Sequence, residues 1–300
     1  MWYRLRIFEG LLLIPFYLIW YVLKGIPFFT RCRWCGQQLF DAQNLRLGMC
    51  RKCQKKMAIS NPEEIFQVEP ETNRLFDPAE EHIFQRIVDN VGSGRILDIG
   101  CGCGRLLFRI QSHTKLSTLY GLDISNAAIN GAKMLIRDAN FCIGNAEKTP
   151  FLPNTFDYVI CTEVLEHIEG DGAITECYRV LKPNGVALIT VPNGKGVSGE
   201  YFPYHIRLFS FSSITDALTE AGFHIISGYK FGLYIPLVTC FAEAISVALG
   251  RNLPVSSKLN IKVPEVLATH FFIKCRKPGP EPDKRQTPKS AICSSYPERI

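Results

Sequence analysis

The chain has 300 residues, 47% of them hydrophobic and 21% charged, a composition that excludes wholesale disorder. That length holds one substantial α/β domain plus a small appended module. The net charge of +6 is unevenly placed: residues 1–60 carry ten Lys/Arg and two Asp/Glu, a net of +8, and the remaining 240 residues carry 24 and 26, a net of −2. A basic excess confined to the N-terminal part directs it toward an anionic surface, either phospholipid headgroups or nucleic acid.

Residues 1–29 open on Arg4 and Arg6, run through the apolar stretch Gly10–Leu23 and close at Lys24, Gly25 and Pro27. The uninterrupted apolar run is 14 residues, roughly 21 Å of helix against a hydrocarbon core roughly 30 Å thick. Trp2, Tyr3, Trp20 and Tyr21 supply amphipathic rings suited to the interface. The segment is expected to associate with a membrane, lying on it or re-entering in preference to spanning, while residues 7–29 are long enough to leave a single spanning anchor open. The alternative is a core helix of a soluble module. No small-x-small cleavage site follows, which disfavours a secretory leader.

Residues 30–57 contain Cys32-x-x-Cys35-Gly36 and Cys50-x-x-Cys53, two pairs separated by fourteen residues. Four thiolates at this spacing fit one tetrahedral Zn²⁺ with no open coordination position, a site that folds a module too small to stabilise itself by burial. A redox C-x-x-C is the competing reading, disfavoured by the pairing. Arg31, Arg33, Arg51, Lys52, Lys55 and Lys56 crowd the cysteines. Beside an apolar anchor they point to anionic lipid more economically than to RNA phosphates. Most of the other cysteines, such as Cys142 and Cys161, sit in apolar runs as small hydrophobes, and a reducing compartment follows.

Residues 58–92 form a linker punctuated by Pro62, Pro70 and Pro78, with a helical apolar period over Ala79–Val91. From residue 93 to 276 the pattern alternates between strand and helix. Strands are predicted at Arg95–Ile99, Leu119–Ile124, Phe141–Ile143, Phe156–Cys161, Val186–Val191, Phe223–Tyr229 and Thr269–Arg276. Helices are predicted at Arg105–Ser112, Asn126–Arg137, Gly172–Leu181 and Ser212–Ala221. Such alternation implies an α/β fold, a parallel sheet with helices on both faces. Residues 231–268 form an apolar insertion, either a buried helix of the domain or an element facing a membrane or capping a substrate. Residues 277–300 are rich in proline and charge and are expected to be a disordered tail.

The chemistry concentrates in two turns. Ile96-Leu-Asp98-Ile-Gly100-Cys-Gly102-Cys-Gly104-Arg-Leu follows an apolar strand and opens a helix, the context in which glycines let backbone approach a ligand. The next strand ends Gly121-Leu-Asp123-Ile-Ser, where a carboxylate accepts from both hydroxyls of a ribose. A dehydrogenase would show the same pair, so these two motifs alone leave the ligand open.

With the segments LDIGCGCGRL, GLDIS, GNAEKTPF, FDYVICTEVLEHI, ECYRVLKPNG and VALITVPN in that order, the chain resembles the class I S-adenosylmethionine-dependent methyltransferases. Within them it resembles the family that includes the ubiquinone-biosynthesis O-methyltransferases. The likeness covers roughly residues 90–230 and implies a Rossmann-like sheet and S-adenosyl-L-methionine as cofactor. It also implies that Asp98, Gly100, Gly102 and Gly104 hold the methionine portion and Glu163 lines that side. Asp123 would take the ribose, Ile124 the adenine face, and Asn145 with Ala146 the adenine edge. Asn145 stands where the family usually has Asp, yet its amide oxygen can still accept from an adenine amino group.

Methyl transfer needs alignment, exclusion of water and often a base for the acceptor proton. His205, after the fifth strand, and His167 are the candidates, although His167 can equally serve to support its loop. Gly194–Gly199 reads as a mobile lid. The Asn/Asp-Pro-Pro-Tyr run of base-amine methyltransferases is missing after the fourth strand, where Thr162-Glu163-Val164-Leu165 stands. The expected function is therefore methylation, at oxygen by resemblance, of a small-molecule, quinone-like or lipid-linked acceptor at the cytoplasmic face of a membrane. The rival readings are an RNA methyltransferase gripping its substrate through the zinc module and a non-catalytic S-adenosylmethionine-binding protein.

Overall fold

The computed structural model describes residues 78–114, 116–196, 205–233 and 263–279. The expected membrane-associating segment, the four-cysteine module, most of the linker, residues 197–199 of the glycine-rich stretch, residues 234–262 of the apolar insertion and the tail from 280 lie outside the described residues. Among the described residues no helix is long and apolar enough to cross a membrane.

In chain order the elements are α1 (Pro78–Val88), β1 (Arg95–Ile99), α2 (Arg105–His113), β2 (Thr118–Asp123), α3 (Asn126–Leu135), β3 (Asn140–Ile143) and β4 (Phe156–Thr162). A 3₁₀ turn, Leu165–His167, leads to α4 (Gly172–Val180), β5 (Leu181–Pro192), α5 (Phe211–Glu220) and β6 (His224–Leu233). A second 3₁₀ turn, Glu265–Leu267, precedes β7 (Ala268–Arg276). The starts of α3 and α5 are chemically marked. Ser125 accepts from the Ala128 amide, and Ser210 and Ser213 cap each other's backbone, so otherwise unpaired N–H groups find partners.

The seven strands form one sheet in the order β3-β2-β1-β4-β5-β7-β6. Its two faces read out the period-2 alternation of the strands. Leu97, Ile99, Val159, Cys161, Ile189 and Phe271 pack with Ala173, Ile174 and Cys177 of α4 and Ile214 and Leu218 of α5. Ile96, Ile160, Leu188 and Phe272, one residue out of phase, pack with Ile83 and Ile87 of α1, Leu107 and Ile110 of α2 and Ile129 of α3. Helices therefore cover both faces, as the alternation of elements implied. The six described cysteines are free thiols.

The expectation of an all-parallel sheet is corrected at one strand. β7 runs antiparallel to both β5 and β6, lying between them. Phe271 and Phe272 are fully buried on opposite faces, each in the core beneath the helices of its own side. Most element boundaries shift by one or two residues, and those of β6, β5 and α4 bear on the sheet. β6 extends past Tyr229 to Leu233, and Phe231 pairs with His270, so the first residues of the apolar insertion belong to the sheet. β5 begins at Leu181, which pairs with Phe156 ahead of a register shift. Within it Asn184 takes φ 65°. α4 ends at Val180 and not Leu181.

β1 lies between β2 and β4, so the chain leaves it first to one side and later to the other. In an open α/β sheet such a switch point opens a crevice at the carboxyl ends of the strands. Asp98, Asp123 and Glu163 all lie at or just beyond those ends.

Candidate active site

The turn after β1 is held shut on its own scaffold. The amides of Gly100 and Cys101 donate to Leu122 O at 2.7 and 3.0 Å, and the Gly104 amide donates to Cys101 O at 3.0 Å. Gly100, Gly102 and Gly104 have φ values of 77°, 52° and 80°, a region that disfavours side chains. At Gly100 a Cβ would also run into Val164 Cγ2, so the turn abuts the loop after β4. At Gly102 a Cβ would meet nothing within 4 Å, and the open space there is what a ligand in close backbone contact requires. No side chain caps α2, whose first-turn amides begin at this turn.

Two carboxylates stand beside the glycines. Asp123 accepts from the Gly102 amide through Oδ2 and from the Ser125 amide through Oδ1, each at 2.8 Å. Burial raises its carboxyl above the ordinary value against the pull of those amides. Asp98 is 2% exposed, and its Oδ1 has no hydrogen-bond partner. Burial first, and the charge of Asp123 second, push the Asp98 carboxyl well up. A buried acceptor left unpaired beside a second carboxylate fits a cationic donor from a ligand, such as an amino-acid ammonium.

The adenine-edge residues adjoin this pair. Ile143 pairs with Asp123, and the Gly144 amide donates to Asp123 O at 2.9 Å. Asn145 Oδ1 accepts from the Glu147 amide at 2.8 Å, so it also shapes the loop as an Asx turn. Its second lone pair still permits the expected contact. Ile124 is half-buried, and Ala146 packs at the edge of the core.

A second group gathers beyond β4. Glu163 adopts φ 55°, a strained conformation for a side-chain-bearing residue. Its Oε1 accepts from Thr190 Oγ1 at 2.9 Å, and its Oε2 faces His270 Nε2 at 3.4 Å. Burial opposes the charge on Glu163, but His270, Thr190 and His205 outweigh it and hold the carboxyl below its usual range. Glu166, 1% exposed, is driven well up by burial and then by Glu163. His205 is docked onto it: the Ile206 and Arg207 amides donate to Glu166 O at 2.7 and 3.0 Å. Burial, with His167 adding to it, lowers His205 to about 4. The two expected base candidates meet, with ring centroids 5.3 Å apart. The lid reading is narrowed at its start. Gly194 and Gly196 are buried, and Asn193 Oδ1 accepts from the Lys195 and Gly196 amides.

All the expected cofactor residues thus lie along one edge, joined through Val164 to the histidine cluster. Sequence reasoning missed Glu166, Thr190 and His270 as members of that cluster. Glu166 was visible next to His167. His270 was not, because only the antiparallel placement of β7 brings it opposite Glu163.

Residues 97–189 match the family model described as a methyltransferase domain. A probable S-adenosylmethionine-dependent methyltransferase of Mycolicibacterium smegmatis is 27% identical over 150 residues, 48% of this chain and 58% of that relative's length. An uncharacterised protein of Methanocaldococcus jannaschii is 34% identical over 196 residues, spanning 62% of this chain and 83% of the relative. A ubiquinone/menaquinone biosynthesis C-methyltransferase of Desulfotalea psychrophila is 26% identical over 207 residues, 62% of this chain and 83% of the relative.

Proposed function

Given that the chain belongs to the class I S-adenosylmethionine-dependent methyltransferases, we propose that it methylates an oxygen of a membrane-associated small molecule, quinone-like or lipid-linked. S-Adenosylmethionine supplies a methyl group on a sulfonium sulfur, already activated toward a nucleophile. The residues on hand fit that cofactor. The unpaired Asp98 Oδ1 suits its ammonium, the open space at Gly102 suits close backbone approach, and Asp123 suits the ribose hydroxyls.

The observation that carries the oxygen reading is the cluster of Glu163, Glu166, His167, His205 and His270 beyond β4. Histidines and carboxylates at the mouth of the sheet are the groups that remove or hold the proton of a hydroxyl acceptor. The membrane reading rests on the apolar segment 10–23 with its basic neighbours. The quinone-like acceptor is supported by the Desulfotalea relative, whose name assigns methylation at carbon. The product therefore decides. Incubated with isotopically labelled S-adenosylmethionine and a membrane lipid extract, the protein should yield a labelled methoxy compound on NMR. A ring-carbon methyl group would overturn the oxygen reading, and labelled RNA in a total extract would overturn the acceptor class.

The same proposal includes a structural Zn²⁺ on Cys32, Cys35, Cys50 and Cys53. Cys35→Ser is expected to lower bound zinc from about one equivalent to a small fraction by elemental analysis, with S-adenosylmethionine affinity unchanged. Stoichiometric zinc in the variant would refute the four-thiolate site.

A further inference from the structure

The turn at the adenine edge, residues 145–148, is held from both ends. At its start the Gly144 amide donates to Asp123 O at 2.9 Å. Within it the Lys148 amide donates to Asn145 O at 3.1 Å, and the Glu147 amide donates to Asn145 Oδ1 at 2.8 Å. Asn145, Glu147 and Lys148 are exposed, so the shape of the turn depends on its ends more than on packing. At the far end Thr149 is 7% exposed and is gripped by two residues of α4. Its amide and its hydroxyl both donate to Glu176 Oε2 at 2.7 Å. Arg179 Nη2 donates to Thr149 O at 3.3 Å and to Thr149 Oγ1 at 3.2 Å. The same guanidinium holds the Glu176 carboxylate at two points, 2.6 Å from Nε to Oε1 and 2.8 Å from Nη2 to Oε2. One ion pair thus engages every backbone and side-chain hydrogen-bonding group of Thr149. The Arg179 hydrogen bonds, opposed by burial and aided by Thr149, hold the Glu176 carboxyl down to about 2, so the pair stays charged at neutral pH. A Cβ at Gly172 would run into the Glu147 side chain, so the first residue of α4 also backs the turn.

We propose that the Glu176–Arg179 pair is a positioning element that makes the cofactor site selective for a purine with a 6-amino group, by fixing the orientation of the Asn145 amide. This role rests on Asn145 lying at the adenine edge. A carboxamide offers an acceptor at one end and a donor at the other. With its oxygen toward the base, Asn145 accepts from a 6-amino group. Turned over, it would donate to a 6-oxo group and select the opposite purine. The Glu147 amide decides between the two, because an N–H meets only the oxygen. That decision lasts only while residues 145 and 147 keep their spacing, and the ends of the turn set the spacing. Charge-assisted, two-point hydrogen bonds hold an end more firmly than single neutral ones. Neutralising either member of the pair therefore loosens Thr149, opens the turn and frees the Asn145 amide to reverse. Glu176 and Arg179 act through Thr149, so their effect is read in which purine binds.

The experiment is titration calorimetry of the full chain with S-adenosylhomocysteine and with S-inosylhomocysteine, whose purines carry an amino and an oxo group at position 6. The parent protein should prefer the adenine ligand at least about thirtyfold. E176Q and R179M should each reduce that ratio to below about fivefold. R179K keeps the charge but not the fork, and it should restore part of the preference. A merely structural contact would weaken both ligands by the same factor. An unchanged ratio in both E176Q and R179M would therefore overturn the proposal, as would a parent protein with no preference. N145A separates the two layers of the argument, because it should abolish the preference with the ion pair intact. If N145A keeps the preference, the amide does not face the purine and the proposal falls with that placement. If N145A abolishes it while E176Q and R179M do not, the placement stands and the role of the ion pair is refuted.

Discussion

Asp123→Ala is expected to weaken S-adenosylmethionine at least about a hundredfold by titration calorimetry. Hydrogen bonds to a charged group contribute about 1.5–3 kcal/mol each. Two such bonds to the ribose hydroxyls, lost together, account for a factor of that size. The same carboxylate also ties the Gly102 and Ser125 amides, so alanine loosens the cradle as well as removing the acceptor. Asp123→Asn separates the two effects, since its amide oxygen can keep one backbone bond at nearly unchanged volume. It should lose most of the affinity with little change in melting temperature. Unchanged affinity in both variants would remove Asp123 from the nucleoside site.

Where the sequence could be read, the reason is local. The strand Arg95–Ile99 was legible to the residue because four buried positions in a row are bounded by Gly94 and Gly100, both at positive φ. The helix at Asn126 was legible because Ser125 caps it. The glycine turn and Asp123 were legible because ligand and scaffold make demands within a few residues of each other. The reversed direction of β7 was not, because a buried strand reads the same in either direction. Its partners Val186–Pro192 and His224–Leu233 lie far away in the chain. The histidine cluster shows both cases. His167 and Glu166 are neighbours in sequence, while His205 and His270 arrive from two other elements. His270 faces Glu163 only because β7 is interior to the sheet, and no pattern within the strand signals that.

Asp98 sets stability against binding, and the sign of the trade follows from its surroundings. In the cofactor-free protein its Oδ1 is buried and unpaired, and Asp123 stands close enough to oppose its charge. A carboxyl whose folded pKa lies above its unfolded value contributes most at low pH, and that contribution falls as pH rises through the folded pKa. Asp98→Asn removes the titration while keeping the shape. The variant should therefore be more stable than the parent at neutral pH by about 1–3 kcal/mol. For a domain of this size that is roughly 2–10 °C in melting temperature. The gain should shrink as pH falls toward the ordinary carboxylate range, where the parent's Asp98 is protonated in both states. Binding should move the other way, because an ammonium that meets an amide oxygen in place of a carboxylate loses a charge-assisted bond. We expect S-adenosylmethionine to bind at least about tenfold more weakly to Asp98→Asn, so that saturating cofactor stabilises the parent more than the variant. Calorimetric melting with and without cofactor, at pH 5 and pH 7.5, reads both signs in one experiment. A variant that melts lower than the parent without cofactor at pH 7.5 would mean that Asp98 is satisfied within the fold and is not held in reserve for a ligand.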